Sequence, residues 1–203
     1  MKPRNILIFG MAVLTGLIAV FLVLGPQREY TFQGSLIEPA VPAPQFELTD
    51  MKGQSFRLSD LEDQVVVMFF GYTGCPDVCP VTLTEFLQIR SKLGEAADKV
   101  SFVFVTVDPE RDTAQRLRRY LTNFDPEIIG LTGEREELEP VWADYGVYQA
   151  KVEGPSEENY LVDHSSRVYI IDADGNLRLT YLFGTENQLI TEDVRHLVSL
   201  GNN

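Results

Sequence analysis

The segment VVVMFFGYTGCPDVCPV, residues 65–81, gives the strongest indication of this chain's fold. Its first six residues are apolar and rich in β-branched and aromatic side chains, which is typical of a central strand in a parallel sheet. Gly71 ends the run, and the only two cysteines follow as Cys75 and Cys79. Pro80 suits the first position of a helix. We therefore expect both thiols on the loop from a buried strand into a helix N-terminus, where the helix dipole stabilises a thiolate.

The elements around this segment indicate an α/β protein. Residues 45–49 and 55–58 alternate in polarity around a turn, which predicts a hairpin. After the central strand, the pattern predicts a helix to about residue 94, a strand over 100–107, helices around 117–124 and 138–145, a hairpin over 167–171 and 177–183, and a last helix over about 191–200. Without one extra helix, this is the thioredoxin order β-α-β-α-β-β-α. The sequence thus predicts a thioredoxin-like fold, a central mixed sheet flanked by helices.

Length and composition limit the classes of function. A chain of 203 residues that is 44% hydrophobic suits one globular domain and an appendage. Its net charge of −13 argues against a nucleic-acid partner. Two cysteines cannot form a disulfide framework, but they can form one bridge or one metal site.

The N-terminus predicts a membrane anchor. Residues 6–25 are uncharged and almost wholly apolar, and as a helix they would span roughly 30 Å, the thickness of a bilayer core. Lys2 and Arg4 precede them, so the N-terminus is expected in the cytoplasm. A cleaved signal peptide is the alternative, but its apolar region is shorter and a small-residue cleavage site normally follows. We expect a single-pass anchor (1–25) in a bacterial inner membrane, a proline-containing linker (26–43), and a periplasmic domain (44–203).

The chain has two histidines, either of which could complete a metal site with the cysteines. His196 falls off the apolar face of the last predicted helix, so we expect a solvated surface residue. His164 precedes the strand over 167–171, and in the thioredoxin order the loop entering that strand lies across from the cysteines. Cys75, Cys79 and His164 are therefore the candidate metal ligands.

Two thiolates and one imidazole suit Cu(I), Cu(II) or zinc. No carboxylate suited to activating water is evident, so hydrolysis is disfavoured. A low-coordinate set of two sulfurs and one nitrogen suits a copper ion that is transferred to another protein. A purely structural disulfide between the cysteines is the alternative at this point.

Three ordered blocks resemble the SCO1/SenC family. They are GYTGCPDVCP (71–80), VDPERDT (107–113), and DHS (163–165) with YIID (169–172). The resemblance covers roughly residues 44–200. One departure is Ala114, where many relatives have proline, but it leaves the candidate ligands untouched.

The resemblance implies a membrane-tethered, thioredoxin-like protein that binds one copper ion through Cys75, Cys79 and His164. It also implies a role in assembling the dinuclear copper (CuA) centre in subunit II of cytochrome c oxidase. A periplasmic copper donor protein is a further expected partner.

Two other functions stay open. A thiol–disulfide oxidoreductase would use Cys75 and Cys79 as its redox pair to reduce the cysteines of the oxidase copper site. A redox or copper sensor would signal through the state of the same pair. A non-enzymatic metallochaperone needs His164, whereas a reductase does not.

Neighbouring motif residues give further predictions. Asp108 or Asp163 could accept a hydrogen bond that orients His164. Capping or turn roles are the alternative for Asp108, and also for Asp112 and Thr113.

Overall fold

The computed structural model describes Gly16 and residues 30–152 and 160–201. In these ranges the strands are β1 (Ser35–Pro42), β2 (Glu47–Asp50), β3 (Ser55–Arg57), β4 (Val65–Gly71), β5 (Val100–Thr106), β6 (Ile129–Thr132), β7 (Gln149–Val152), β8 (Leu161–His164), β9 (Arg167–Ile171) and β10 (Asn176–Leu182). The α-helices are α1 (Val78–Leu93), α2 (Ala114–Leu121), α3 (Arg135–Asp144) and α4 (Asn187–Leu200).

Eight strands form one mixed sheet in the order β1-β10-β9-β4-β5-β6-β2-β3. β4 runs parallel to β5 and antiparallel to β9, and β5 runs parallel to β6. All seven residues of β4 are buried, which confirms the predicted central strand. Each large apolar side chain buried there stabilises the fold by about 1.5–3 kcal/mol. The predicted α/β class, with a central sheet and flanking helices, is confirmed.

The predicted helices and hairpins are present with shifted ends. α1 ends at Leu93, and Gly94 follows with a φ of +60°, which glycine adopts without strain. α2 stops at Leu121, before the predicted end, and α4 begins at Asn187, about one turn earlier than predicted. The hairpins β2–β3 and β9–β10 pair antiparallel as expected.

Four strands were not predicted, β1, β6, β7 and β8, and the last two matter for the site. β7 pairs antiparallel with β8 in a separate two-stranded sheet, here called the β7–β8 hairpin. His164 was predicted to lie in a loop, but it is the last residue of β8 and pairs opposite Gln149.

The segment predicted as a linker, residues 26–43, contains β1. This strand forms one edge of the large sheet and pairs antiparallel with β10. Its prolines suggested a spacer, but an edge strand tolerates proline where the missing N–H would face solvent. The pairing register shifts between Leu36 and Val41, around Pro39. The folded domain therefore includes residues from at least Ser35 onwards.

The predicted membrane anchor over residues 6–25 lies outside the described residues, apart from Gly16. In the described part of the chain, no helix has the length and apolar character needed to cross a bilayer.

Candidate metal centre

Three side chains converge at the C-terminal end of β4. The sulfurs of Cys75 and Cys79 and a ring nitrogen of His164 all lie within 4.8 Å of one another. Cys79 Sγ is 3.7 Å from His164 Nε2, although the two residues are 85 positions apart. Both cysteines are reduced. The structure thus brings together the three residues that the sequence singled out.

The local backbone sets the cysteines at different depths. A turn in which the Cys75 N–H donates to the Tyr72 carbonyl (3.3 Å) follows β4. α1 begins at Val78, so Cys79 lies in its first turn rather than on the loop, and Pro80 is the third helical residue rather than the first. Cys79 is 0% exposed, whereas Cys75 is half-buried.

Because Gly71 has no side chain, the Cys79 sulfur has space beside it. A Cβ at this position would lie 2.8 Å from Cys79 Sγ and 2.7 Å from the Phe69 ring. Real Cβ contacts are not this short, so any larger residue would displace the sulfur or the rings. The end of β4 is therefore shaped around this thiol.

The two thiols differ in acidity. The hydrogen bond from the Cys79 thiol, with further bonds from backbone N–H groups, lowers the pKa of Cys75 to about 4 against the cost of burial. The Cys79 N–H is one of these donors, 3.4 Å from Cys75 Sγ. The same sulfur–sulfur hydrogen bond, together with burial and the Cys75 charge, raises the pKa of Cys79. At neutral pH the pair is one thiolate and one thiol.

His164 is oriented by a neighbouring carbonyl. Its Nδ1 lies 3.0 Å from the Ser165 carbonyl oxygen, and since a carbonyl only accepts, Nδ1 carries the proton. Nε2 then has its lone pair free on the side of Cys79. The ring stands edge-on to Tyr72 and Phe69, with centroids 5.8 and 6.0 Å away. The imidazole therefore presents the nitrogen that a metal ion requires.

Asp112 fixes the loop that carries Cys75. It is 0% exposed and accepts hydrogen bonds from the Thr73 N–H (3.0 Å), the Thr73 hydroxyl (2.5 Å) and the Thr106 hydroxyl (2.8 Å). Burial raises the pKa of Asp112, while the Thr73 and Thr106 bonds oppose that shift. Only a capping or turn role was predicted for Asp112, because its partners lie on other elements and leave no local pattern.

The remaining predictions have mixed outcomes. Asp108 does not orient His164; its carboxylate accepts from Arg111 and from Tyr160. Asp163 is exposed, and in the described residues no hydrogen bond joins it to His164. Thr113 caps α2, as expected, by accepting from the Arg116 N–H (3.2 Å).

His196, expected to be a solvated surface residue, is half-buried on α4. Its ring lies 5.5 Å from that of Phe32. It is not part of the Cys–Cys–His cluster.

The donor set fits a soft or borderline metal ion. Two sulfurs and one imidazole nitrogen suit copper or zinc, and three donors leave an ion open to a further ligand. The same pair of sulfurs suits thiol–disulfide exchange, because one is a half-exposed thiolate and the other a buried thiol beside it.

Comparisons with known proteins agree with this chemistry. The sequence profile of the SCO1/SenC family matches residues 35–199. A SCO2-like protein of Rickettsia felis is 34% identical over 190 residues, which cover 91% of this chain and 93% of that protein. The structure of Bradyrhizobium japonicum ScoI with copper bound is 35% identical, with a TM-score of 0.71, over 78% of this chain and 99% of that one.

Another solved structure shares the fold at lower sequence identity. This is BsSco, which is 22% identical. It is a member of the Sco family of cytochrome c oxidase assembly proteins, and a disulfide switch has been identified in BsSco itself. Its TM-score is 0.63 over 84% of this chain and 98% of that one.

Proposed function

We propose, because the chain belongs to the SCO1/SenC family, that it is a copper metallochaperone whose cargo is held by Cys75, Cys79 and His164. The observation that carries the proposal is the convergence of two sulfurs and one ring nitrogen within 4.8 Å at one end of the sheet. This donor set suits copper, and the similar ScoI of Bradyrhizobium japonicum has a structure with copper bound.

The chain's own residues explain uptake and release. Cys75 is already a thiolate at neutral pH, whereas Cys79 must lose its proton to become a ligand. Uptake at neutral pH therefore releases a proton and weakens as the pH falls. Three donors, of which Cys75 is half-exposed, leave room for a receiving protein's ligand, so transfer proceeds by exchange of ligands.

The test of the metal site is a copper titration of the reduced full chain and of two histidine variants. We expect one copper per chain, and at least about tenfold weaker Cu(II) binding in His164→Ala, since one of three ligands is lost. His196→Ala is the matched control and should bind as the wild type does. Wild-type Cu(II) affinity in His164→Ala would show that the site is assigned wrongly.

The proposed recipient is the CuA centre of cytochrome c oxidase subunit II. Support comes from the family resemblance and from BsSco, whose family comprises cytochrome c oxidase assembly proteins. Two copper-loaded chains, each giving up one ion, should fill the dinuclear site in the copper-binding domain of subunit II and produce that centre's absorption. If the ion stays on the loaded chain, the recipient is another protein.

The proposed location is the outer side of a bacterial inner membrane, with residues 6–25 as a single-pass anchor and a periplasmic protein as copper donor. The apolar run and the preceding Lys2 and Arg4 support this arrangement. A C-terminal reporter that works only outside the cytoplasm should be active. Mass spectrometry should find the N-terminal segment still attached, whereas its absence would indicate a cleaved signal.

A second candidate function is thiol–disulfide exchange, favoured by the unequal acidity of the cysteines. The Cys75 thiolate would attack a partner disulfide, form a mixed disulfide and release one partner thiolate. Cys79 would then lose its proton and attack the Cys75 sulfur, releasing the second partner thiolate. The partner is thereby reduced and the Cys75–Cys79 pair oxidised to a disulfide. His164→Ala should spare this reaction, and rapid exchange without tight copper binding would favour it over the metallochaperone.

A further inference from the structure

The β7–β8 hairpin carries His164 but belongs to a separate two-stranded sheet. The position of the imidazole relative to the sulfurs therefore depends on how this hairpin is held against the main sheet. Its described contacts include two attachments near the start of β8, one at Val162 and one at Tyr160.

The first attachment comes from the cysteine loop itself. The Val162 N–H donates to the Tyr72 hydroxyl at 3.2 Å, and both residues are buried. Tyr72 directly follows β4, so this bond ties the middle of β8 to the segment that leads to Cys75.

The second attachment is centred on Arg111, in the loop after β5. Its guanidinium carbon lies 3.6 Å from the centre of the Tyr160 ring, and its Nη1 donates to the Tyr160 carbonyl at 2.9 Å. Its Nε donates to Asp108 Oδ2 at 2.5 Å. One side chain thus contacts both the ring and the backbone of the residue that precedes β8.

Tyr160 is held from its other end as well. It is 6% exposed, and its hydroxyl donates to Asp108 Oδ1 at 2.5 Å. Asp108 is itself 1% exposed and receives both Arg111 and Tyr160. These three residues contact one another and are here called the Arg111 clasp; they join the main domain to the start of β8.

We propose that Arg111 is a positioning residue for His164: through Tyr160 it sets where β8 lies, and hence whether the imidazole reaches Cys79. The inference rests on the proposed metal site. His164 lies four residues beyond Tyr160 along an extended strand, roughly 13 Å away, so Arg111 acts without being a ligand. With Tyr160 held at one end and Val162 in the middle, the end of β8 has a fixed position.

The test is a double-mutant cycle on Cu(II) affinity in the full chain, with Arg111→Ala, His164→Ala and the double variant. We expect Arg111→Ala to weaken Cu(II) binding about 10–100-fold, the usual range for a residue that orients a ligand. In the His164→Ala background the same change should have almost no effect, because the group it positions is gone. The nitrogen hyperfine signal of bound Cu(II) should be lost or altered in Arg111→Ala.

The cycle separates positioning from plain charge. If Arg111 acted only as a cation near the thiolates, its removal would weaken binding equally with and without His164, and the inference would be overturned. Arg111→Lys keeps the positive charge. It loses the planar guanidinium that stacks on the Tyr160 ring and donates to both Asp108 and the Tyr160 carbonyl, so its Cu(II) affinity should resemble that of Arg111→Ala. Arg135→Ala, which removes a surface cation paired with Glu110, should leave binding unchanged.

Two further measurements guard against misfolding. Tyr160→Leu removes the ring from the hairpin side and should give the same pattern in the cycle while Arg111 stays paired with Asp108. In the metal-free protein, hydrogen exchange at the Val162 N–H should accelerate in both clasp variants, whereas exchange in β4 should not. Unaltered exchange at Val162 would contradict the inference. If His164→Ala binds Cu(II) as tightly as the wild type, the proposed metal site is wrong. If His164→Ala binds weakly but Arg111→Ala binds as the wild type does, the metal site stands and only the positioning role of Arg111 is wrong.

Discussion

The two cysteines occupy environments that differ more than their four-residue spacing suggests. Cys79 is fully buried against Gly71, while Cys75 is half-exposed and has a pKa of about 4. We expect iodoacetamide to modify Cys75 in the reduced, metal-free protein and to leave Cys79 intact. The rate should rise through about pH 4 and stay flat from pH 5 to 8, because Cys75 is already a thiolate there.

Peptide mapping by mass spectrometry after timed reaction would check this profile. An ordinary thiol, with a pKa near 9, would instead react about tenfold faster for each pH unit across that range. Such a rise would contradict the assigned acidity of Cys75.

Gly71→Ala should damage the site through packing alone. The new Cβ would lie within 3 Å of Cys79 Sγ, Phe69 and Phe104, so overpacking should cost about 1–3 kcal/mol of unfolding free energy. Copper affinity should fall with it, because the displaced sulfur is a proposed ligand. Gly74→Ala is the matched control in the same loop, since its nearest neighbour would be 3.5 Å away.

Denaturant unfolding and copper titration of the two glycine variants would check this pair. Equal stability of Gly71→Ala and the wild type would show that the end of β4 adjusts without strain.

Residue type narrowed the candidate donors to two cysteines and two histidines. The expected position of His164 across from the cysteine turn then selected it over His196. The supporting residues could not be selected in this way. The role of Gly71 depends on a contact across to α1, and that of Arg111 on a ring 49 residues away. Neither leaves a local pattern in the sequence.

The buried carboxylate of Asp112 joins the end of β5 to the loop that carries Cys75. Asp112→Asn would turn one accepting oxygen into a donor that faces the Thr73 or Thr106 donors. Leaving a buried donor unsatisfied should cost about 1–3 kcal/mol. Asp77→Asn makes the same chemical change at an exposed position between the cysteines and should be nearly neutral.

Thermal unfolding of both asparagine variants, with copper binding measured alongside, would check the difference. A stable Asp112→Asn protein with wild-type copper affinity would show that the loop does not depend on this carboxylate.

The long elements could be predicted because their hydrophobic patterns are strong. β4 and β5 are short apolar runs, and α1 to α4 each repeat apolar residues at helical spacing. β7 and β8 have four residues each and mixed polarity, so their pairing is decided by contacts such as Tyr72 to Val162 rather than by pattern. That is why His164 was assigned to a loop.

For the domain as a whole, the least expected feature is the edge strand β1. A chain shortened to begin at residue 44 should lose β1 and expose the edge of β10. It would also remove two donors of buried Asp193, the N–H groups of Gln33 (2.8 Å) and Gly34 (3.0 Å). At about 1 kcal/mol for each lost hydrogen bond, these two bonds alone should lower the free energy of unfolding by about 2 kcal/mol.

The matched control is a chain that begins at residue 32, where the compact domain starts. Urea unfolding and light scattering would compare the two, and the shorter one should also self-associate through its open edge. Equal midpoints and equal size would show that β1 is dispensable, as a linker would be.

The cluster also has a mechanical consequence, because its donors come from regions 85 residues apart in the chain. An ion held by all three closes that span as a reversible cross-link, and cross-links of this length oppose unfolding by restricting the denatured chain. A chain with copper bound should therefore resist heat and proteases better than the metal-free chain. If the chain delivers copper, its stability would fall once the ion is released. The metal-free form would then be the one that cellular proteolysis removes first.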